Sequence, residues 1–108
     1  MSEPVVGVGV AQDPVQVDST HYTVELENEK VRVLRIKYAP HEKSKMHGHP
    51  ASVAVFLTDA NGQFTYPDGK VEVFTGTAGQ VMYFDAVVHE PANLGDTPFE
   101  VIAVELKG

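Results

Sequence analysis

The chain never sustains an apolar repeat of 3.6 residues, and that excludes a helical bundle. Short β-branched runs recur instead, at Val5–Val10, Tyr22–Leu26, Val31–Tyr38, Ser52–Leu57, Gln63–Tyr66, Val71–Phe74, Val81–Phe84 and Phe99–Leu106. Turn chemistry separates them. Asp59-Ala60-Asn61-Gly62, Pro67-Asp68-Gly69 and Asn93-Leu94-Gly95-Asp96-Thr97-Pro98 each supply Gly, Asn or Asp, which accept the positive φ that tight turns need. Many short strands at close spacing in 108 residues predict one all-β domain, a barrel or sandwich. Residues 71–74 and 100–106 carry apolar residues on both faces, which suits strands buried between sheets or in a dimer interface. Residues 1–20, with a Val-Gly repeat and two prolines, read as an N-terminal arm or edge strand, leaving 21–108 as the barrel domain.

The charge balance narrows the functional classes. Fifteen Asp and Glu against eight Lys and Arg give a net charge of −7. That argues against nucleic acid or an anionic membrane as a partner and suits a soluble protein. With no cysteine, disulfides, thiolate metal sites and cysteine nucleophiles are excluded. No basic stretch followed by an apolar one opens the chain, and no run approaches the ~18 apolar residues of a membrane helix. The expected location is cytoplasmic.

Two short segments carry the chemistry, Met46-His47-Gly48-His49-Pro50 and His89-Glu90-Pro91-Ala92-Asn93. Residues two apart on a strand share a face, so His47 and His49 can reach one point, and His89 can join them from a neighbouring strand. Three neutral imidazoles with open positions left over make a catalytic or binding metal centre. His41 is a possible additional site residue, either as a fourth nitrogen or as a proton-transfer group, with a surface loop position as the alternative. His21 is expected to be solvated. Val53, Val55, Phe56, Met82, Phe84 and Ile102 are candidate lining for an apolar pocket, or simply core. Tyr22, Tyr38 and Tyr83 are candidate hydroxyl donors. Gly-rich phosphate loops and nucleophile elbows are missing from the sequence.

The two histidine segments resemble the paired motifs of small single-domain cupins over about residues 30–107. The first motif of that family is Gly, five residues, His-x-His, three or four residues, Glu, six residues, Gly. It aligns from His41 through His47-Gly48-His49 to Gly62. The second is Gly, five residues, Pro-x-Gly, one or two residues, His, three residues, Asn. It aligns from Gly79 through Asp85-Ala86-Val87 to His89 and Asn93. His41 replaces the first glycine, Asp85-Ala86-Val87 replaces Pro-x-Gly, and Val53 or Ala54 stands where the glutamate belongs. Glu42, Asp85, Glu90 and Glu100 are the nearest carboxylates in sequence that could replace it, and each reads as a solvated charge.

The resemblance implies a double-stranded β-helix (jelly-roll) barrel, a homodimer, and a three-histidine variant of the metal site. It also implies that Asn93 ties its turn together. One divalent metal per chain is expected, with iron favoured and nickel, zinc, manganese or copper as alternatives. The implied function is metal-dependent enzyme chemistry on a small oxygenated organic substrate, dioxygenase-like in its most concrete form, or isomerase or lyase chemistry if the metal is not redox-active. The alternative is a non-catalytic ligand-binding or sensor barrel with a degenerate site.

Overall fold

The computed structural model describes residues 12–108. It contains one helical turn, α1 (Pro14–Val17), and nine strands: β1 (Tyr22–Glu27), β2 (Val31–Tyr38), β3 (His47–His49), β4 (Ser52–Phe56), β5 (Ala60–Thr65), β6 (Val71–Gly76), β7 (Val81–Phe84), β8 (Val87–Asn93) and β9 (Phe99–Leu106). They form a five-stranded sheet, β1-β2-β9-β4-β7, and a four-stranded sheet, β3-β8-β5-β6, with every pair antiparallel. The all-β, jelly-roll expectation holds.

Period-two burial fixes which side chains face inward. Along β9, Phe99, Val101, Ala103 and Glu105 are buried, while Glu100, Ile102 and Val104 are only half-buried. Along β4 the buried set is Ser52, Ala54 and Phe56. The register places Ala54 opposite Ala103 and Phe56 opposite Val101, so two small residues meet beside two larger ones. Tyr22, Leu34, Tyr38, Phe56, Phe99 and Val101 form the core of this inner space.

Several elements depart from the sequence reading. The run Val5–Val10 lies outside the described residues. Residues 13–18 form a capped turn: Asp13 accepts from the Val15 amide, and Pro14 occupies the first helical turn, where its missing N–H costs nothing. Ala60, Asn61 and Gly62 are not a turn but the start of β5. Gly62 fits because a Cβ there would press on the Phe74 ring and lie 2.7 Å from the Ala92 carbonyl oxygen. β6 is an edge strand with Val71 and Val73 exposed, so of its apolar residues only Phe74 turns inward to the core. β8, the strand expected to carry His89, runs for seven residues through Pro91 to Asn93, an extent that the polar, proline-containing sequence did not show. Its pairing with β3 ends at His89, so Pro91 lies where no β3 ladder bond is lost. Among the described residues no helix is long and apolar enough to cross a membrane.

Candidate metal centre

β3 is only three residues long, and both of its inward side chains are histidines. His47 and His49 are buried and Gly48 is half-buried between them. β8 runs antiparallel beside it, with His47 directly opposite His89 and His49 opposite Val87. His89 therefore enters on the same face as the pair. One ligand nitrogen from each of the three rings lies within 4.8 Å of the others. The rings stand nearly perpendicular to one another, with centroids 4.8–5.2 Å apart.

The hydrogen bonds decide which nitrogen each ring offers. His47 Nδ1 lies 2.8 Å from the Lys45 carbonyl, which only accepts, so Nδ1 carries the proton and Nε2 the lone pair. His49 Nδ1 lies 2.7 Å from Glu105 Oε2. His47 Nε2 and both nitrogens of His89 are buried without a hydrogen-bond partner among the described residues. An unsatisfied buried polar atom costs about 1–3 kcal/mol, so His47 Nε2 and the one His89 nitrogen that can share its point call for an occupant. Burial holds these rings neutral, and any charge on His49 adds to the effect. His47 is pushed down to about 4 and His89 to about 2. Neutral imidazole is the form that binds metal. The donor set and the orphaned nitrogens fit a divalent metal.

Against the cluster lies an apolar cavity of about 80 Å³. Phe56, Phe64, Phe74, Phe84 and Phe99 line it, together with Tyr22, Tyr38, His49 and His89. Phe64 stacks on His89. The Tyr22 and Tyr38 hydroxyls are hydrogen-bonded to each other at 2.6 Å, and no Lys or Arg lines the space.

Phe56 and Phe84 line this cavity as expected from sequence. Val53, Val55 and Ile102 do not, because the alternation of β4 and β9 turns them to the outer face and puts Ser52, Ala54, Val101 and Ala103 inside. Met82 packs against the core without reaching the cavity. Tyr83 is exposed. His41 adopts a positive φ, 64°, at the place of the motif's first glycine, and is an exposed side chain bonded to Asp96 that stands apart from the three-histidine group. His21 is not solvated. It is buried, stacked on Tyr38 with centroids 4.3 Å apart, and clamped by Asp18 at 2.6 Å and Glu42 at 3.0 Å. Burial pulls its pKa down, but the two carboxylates outweigh that and hold it above the usual histidine value.

None of the four carboxylates near the motifs enters the cluster: Glu42 bonds His21, and Glu100 bonds Arg35. The carboxylate that does reach the site is Glu105, at a β9 position that reads in sequence as one more strand residue. Its inward phase, shared with Phe99 and Val101, was the available signal. Burial raises its pKa, but hydrogen bonds from His49 and Arg32 outweigh this and keep it low. Asn93 has the expected structural role: Nδ2 donates to the Tyr38, Ala39 and Thr97 carbonyls, and Oδ1 accepts from the Gly95 amide.

Comparison with known proteins agrees with this picture. The cupin domain family matches residues 34–105. The chain belongs to that family. A cupin domain from Bordetella pertussis Tohama I shares 27% identity over 81% of this chain and 92% of its own, with a TM-score of 0.74. A cupin 2 conserved barrel domain protein from Salinispora arenicola is 21% identical over 96% of this chain and 87% of its own, with a TM-score of 0.59. Bacillus subtilis oxalate decarboxylase, described with Mn(II) centres, is 20% identical over 72% of this chain and 22% of its own, with a TM-score of 0.55. A comparison with curated proteins gives no match.

Proposed function

We propose that His47, His49 and His89 hold one divalent metal per chain and that the protein is a metal-dependent enzyme acting on a small oxygenated organic substrate. The observation that carries this reading is three buried histidines with one ligand nitrogen each within 4.8 Å of the others, of which His47 Nε2 and the His89 nitrogens have no hydrogen-bond partner among the described residues. When bound, the metal supplies Lewis acidity at its open positions and, if it is iron, redox chemistry of the dioxygenase kind. Iron is the metal we favour, with nickel, zinc, manganese and copper as alternatives, since an imidazole donor set suits several of them and cellular availability largely decides. The Mn(II) centres of the oxalate decarboxylase support a metal in this barrel.

The chain's own residues restrict the substrate. The aromatic wall excludes water and favours an apolar body. At about 80 Å³ the cavity is smaller than the ~150 Å³ apolar cavity that accepts benzene, so the enclosed part of the substrate is small. With no cationic side chain in the lining, a free carboxylate or phosphate has no partner away from the histidines. A diketone, enol or catechol-like compound places its oxygens at the histidine end and its carbon skeleton among the phenylalanines. The Tyr22–Tyr38 pair offers a hydroxyl to orient one of those oxygens.

A second reading, a non-catalytic ligand-binding or sensor barrel, draws on one observation: Ala54, the inward-facing residue of the missing glutamate position, contributes no ligand. A homodimer and a cytoplasmic location complete the proposal.

Metal content per chain is the first test, measured by mass spectrometry on tag-free protein purified without chelator, beside a His47→Ala/His49→Ala control; turnover by the metal-loaded protein then separates the two readings. About one divalent metal, lost in the control, is the expected result. Its identity then selects the assay, with oxygen uptake on enolic substrates following from iron. No metal even after reconstitution would overturn the enzyme reading and leave the ligand-binding barrel.

A further inference from the structure

Glu105 is the one charged residue among the inward-facing positions of β9, whose other members are Phe99, Val101 and Ala103. A carboxylate so placed is costly to bury unless every oxygen is bonded. Both are. Oε2 meets His49 Nδ1 at 2.7 Å, and Oε1 accepts from Arg32 Nε at 2.8 Å. The β2–β9 register sets Arg32 directly opposite Glu105. Arg32 is held in turn by Asp13, whose Oδ1 lies 2.6 Å from its Nη2 and whose other oxygen caps α1. A four-member line therefore runs from the helical turn, through two strands, to a ring of the histidine group.

We infer that Glu105 is a positioning residue for His49, fixing its ring and its tautomer so that Nε2 faces the point shared with His47 and His89. This rests on the metal-site reading above. The physical argument is one of donors and acceptors. Arg32 donates to Oε1, and its positive charge keeps the carboxylate ionised with no proton to give, so Oε2 also accepts. The proton of the His49–Glu105 bond then belongs to Nδ1, and the ring's free lone pair belongs to Nε2. A carboxylate behind a ligand imidazole also raises the basicity of the ligating nitrogen, and losing such a partner typically weakens metal affinity about 10–100-fold. His47 is fixed the same way by the Lys45 carbonyl, whereas His89 has no such partner among the described residues. A buried ion pair serving stability alone would be replaceable by apolar residues, as the rest of this β9 face is.

Two measurements on the full chain test the role. The first is the tautomer of His49 in the metal-free wild-type protein, read from imidazole ¹⁵N shifts. A proton on Nδ1 with a free Nε2 is expected. A ring protonated on Nε2, or on both nitrogens, overturns the inference. The second is titration of wild type and Glu105→Gln with Co(II), following its visible absorption. The variant is expected to bind about 10–100-fold more weakly, with an altered spectrum at saturation. Equal affinity and an unchanged spectrum overturn the role while leaving the metal site standing. A wild-type protein that binds no Co(II) overturns the metal reading instead, and the tautomer still decides what Glu105 does. Should Glu105→Gln fail to fold, the wild-type ¹⁵N measurement alone decides.

Discussion

The ring of Phe64 stacks on that of His89, with centroids 4.6 Å apart and planes 28° from parallel. His89 has no hydrogen bond at either nitrogen among the described residues, so packing alone sets its orientation. Phe64→Ala is therefore expected to loosen one of the three rings. Metal affinity should fall severalfold, and the metal-free protein should lose about 3 kcal/mol, the low end of the range for deleting a packed phenylalanine. Phe64→Leu should lose less of both. Calorimetric metal titration and denaturant melts check it. A variant that binds metal like wild type would show that β8 backbone geometry is sufficient.

Ala54 faces the cavity across from Ala103, and of the two residues that can align with the glutamate of the first cupin motif, Val53 and Ala54, it is the one that points inward. Ala54→Glu should strengthen divalent metal binding by supplying a fourth protein ligand. It should also destabilise the metal-free protein by about 1–3 kcal/mol, because the larger side chain crowds a packed interior and arrives without a partner. Paired melts with and without Zn(II) separate the two effects. A variant whose melting temperature fails to recover with metal would mean that the introduced carboxylate cannot reach the histidines.

The metal-free protein should lose stability in mild acid. His47 and His89 are depressed to about 4 and about 2, while their unfolded value is about 6.5. Their contribution is thus fully present above pH 6.5 and is lost as pH falls from there toward about 4 for His47 and about 2 for His89, because the unfolded chain binds the protons. His21 has the opposite sign: its pKa is raised, so its contribution is present below about 6.5 and is lost as pH rises through the folded value. Two depressed groups outweigh one raised group. Denaturant unfolding of chelator-treated protein should show a net loss of about 2–3 kcal/mol between pH 7 and pH 5. His21→Gln should steepen that fall, since it removes the opposing term. A flat profile would contradict the buried neutral state of His47 and His89.

Asn93 is buried and joins three carbonyls and one amide across the β2 end and the β8–β9 turn. Asn93→Ala strands those groups. It is expected to cost about 2–3 kcal/mol, or a fall of roughly 10–15 °C in Tm for a domain of this size. Metal stoichiometry at low temperature should be unchanged, because Asn93 touches none of the three histidines. Loss of metal in a folded variant would mean that this turn also sets the position of β8.

What the sequence determined by itself is local. The spacing of His47 and His49 puts them on one face of any strand they occupy, and β3 obeys. Short β-branched runs broken by turn residues define an all-β chain, and Pro67-Asp68-Gly69 makes the expected turn, with Gly69 at a φ of 90°. The paired motifs brought His89 into the set. The tertiary structure decided what depends on register and phase. Residues 52–56 are apolar on both faces apart from Ser52, so nothing local says whether Val53 and Val55 or Ala54 and Phe56 face inward. Pairing of β4 with β9 settles that. The extent of β8 was hidden because its proline is tolerated only where the β3 ladder ends. His21 reads locally as a surface residue, and only the fold brings Asp18 and Glu42 to either side of it. Glu105 lies 56 residues from His49, and only the closing of two sheets over one core sets its carboxylate against that ring.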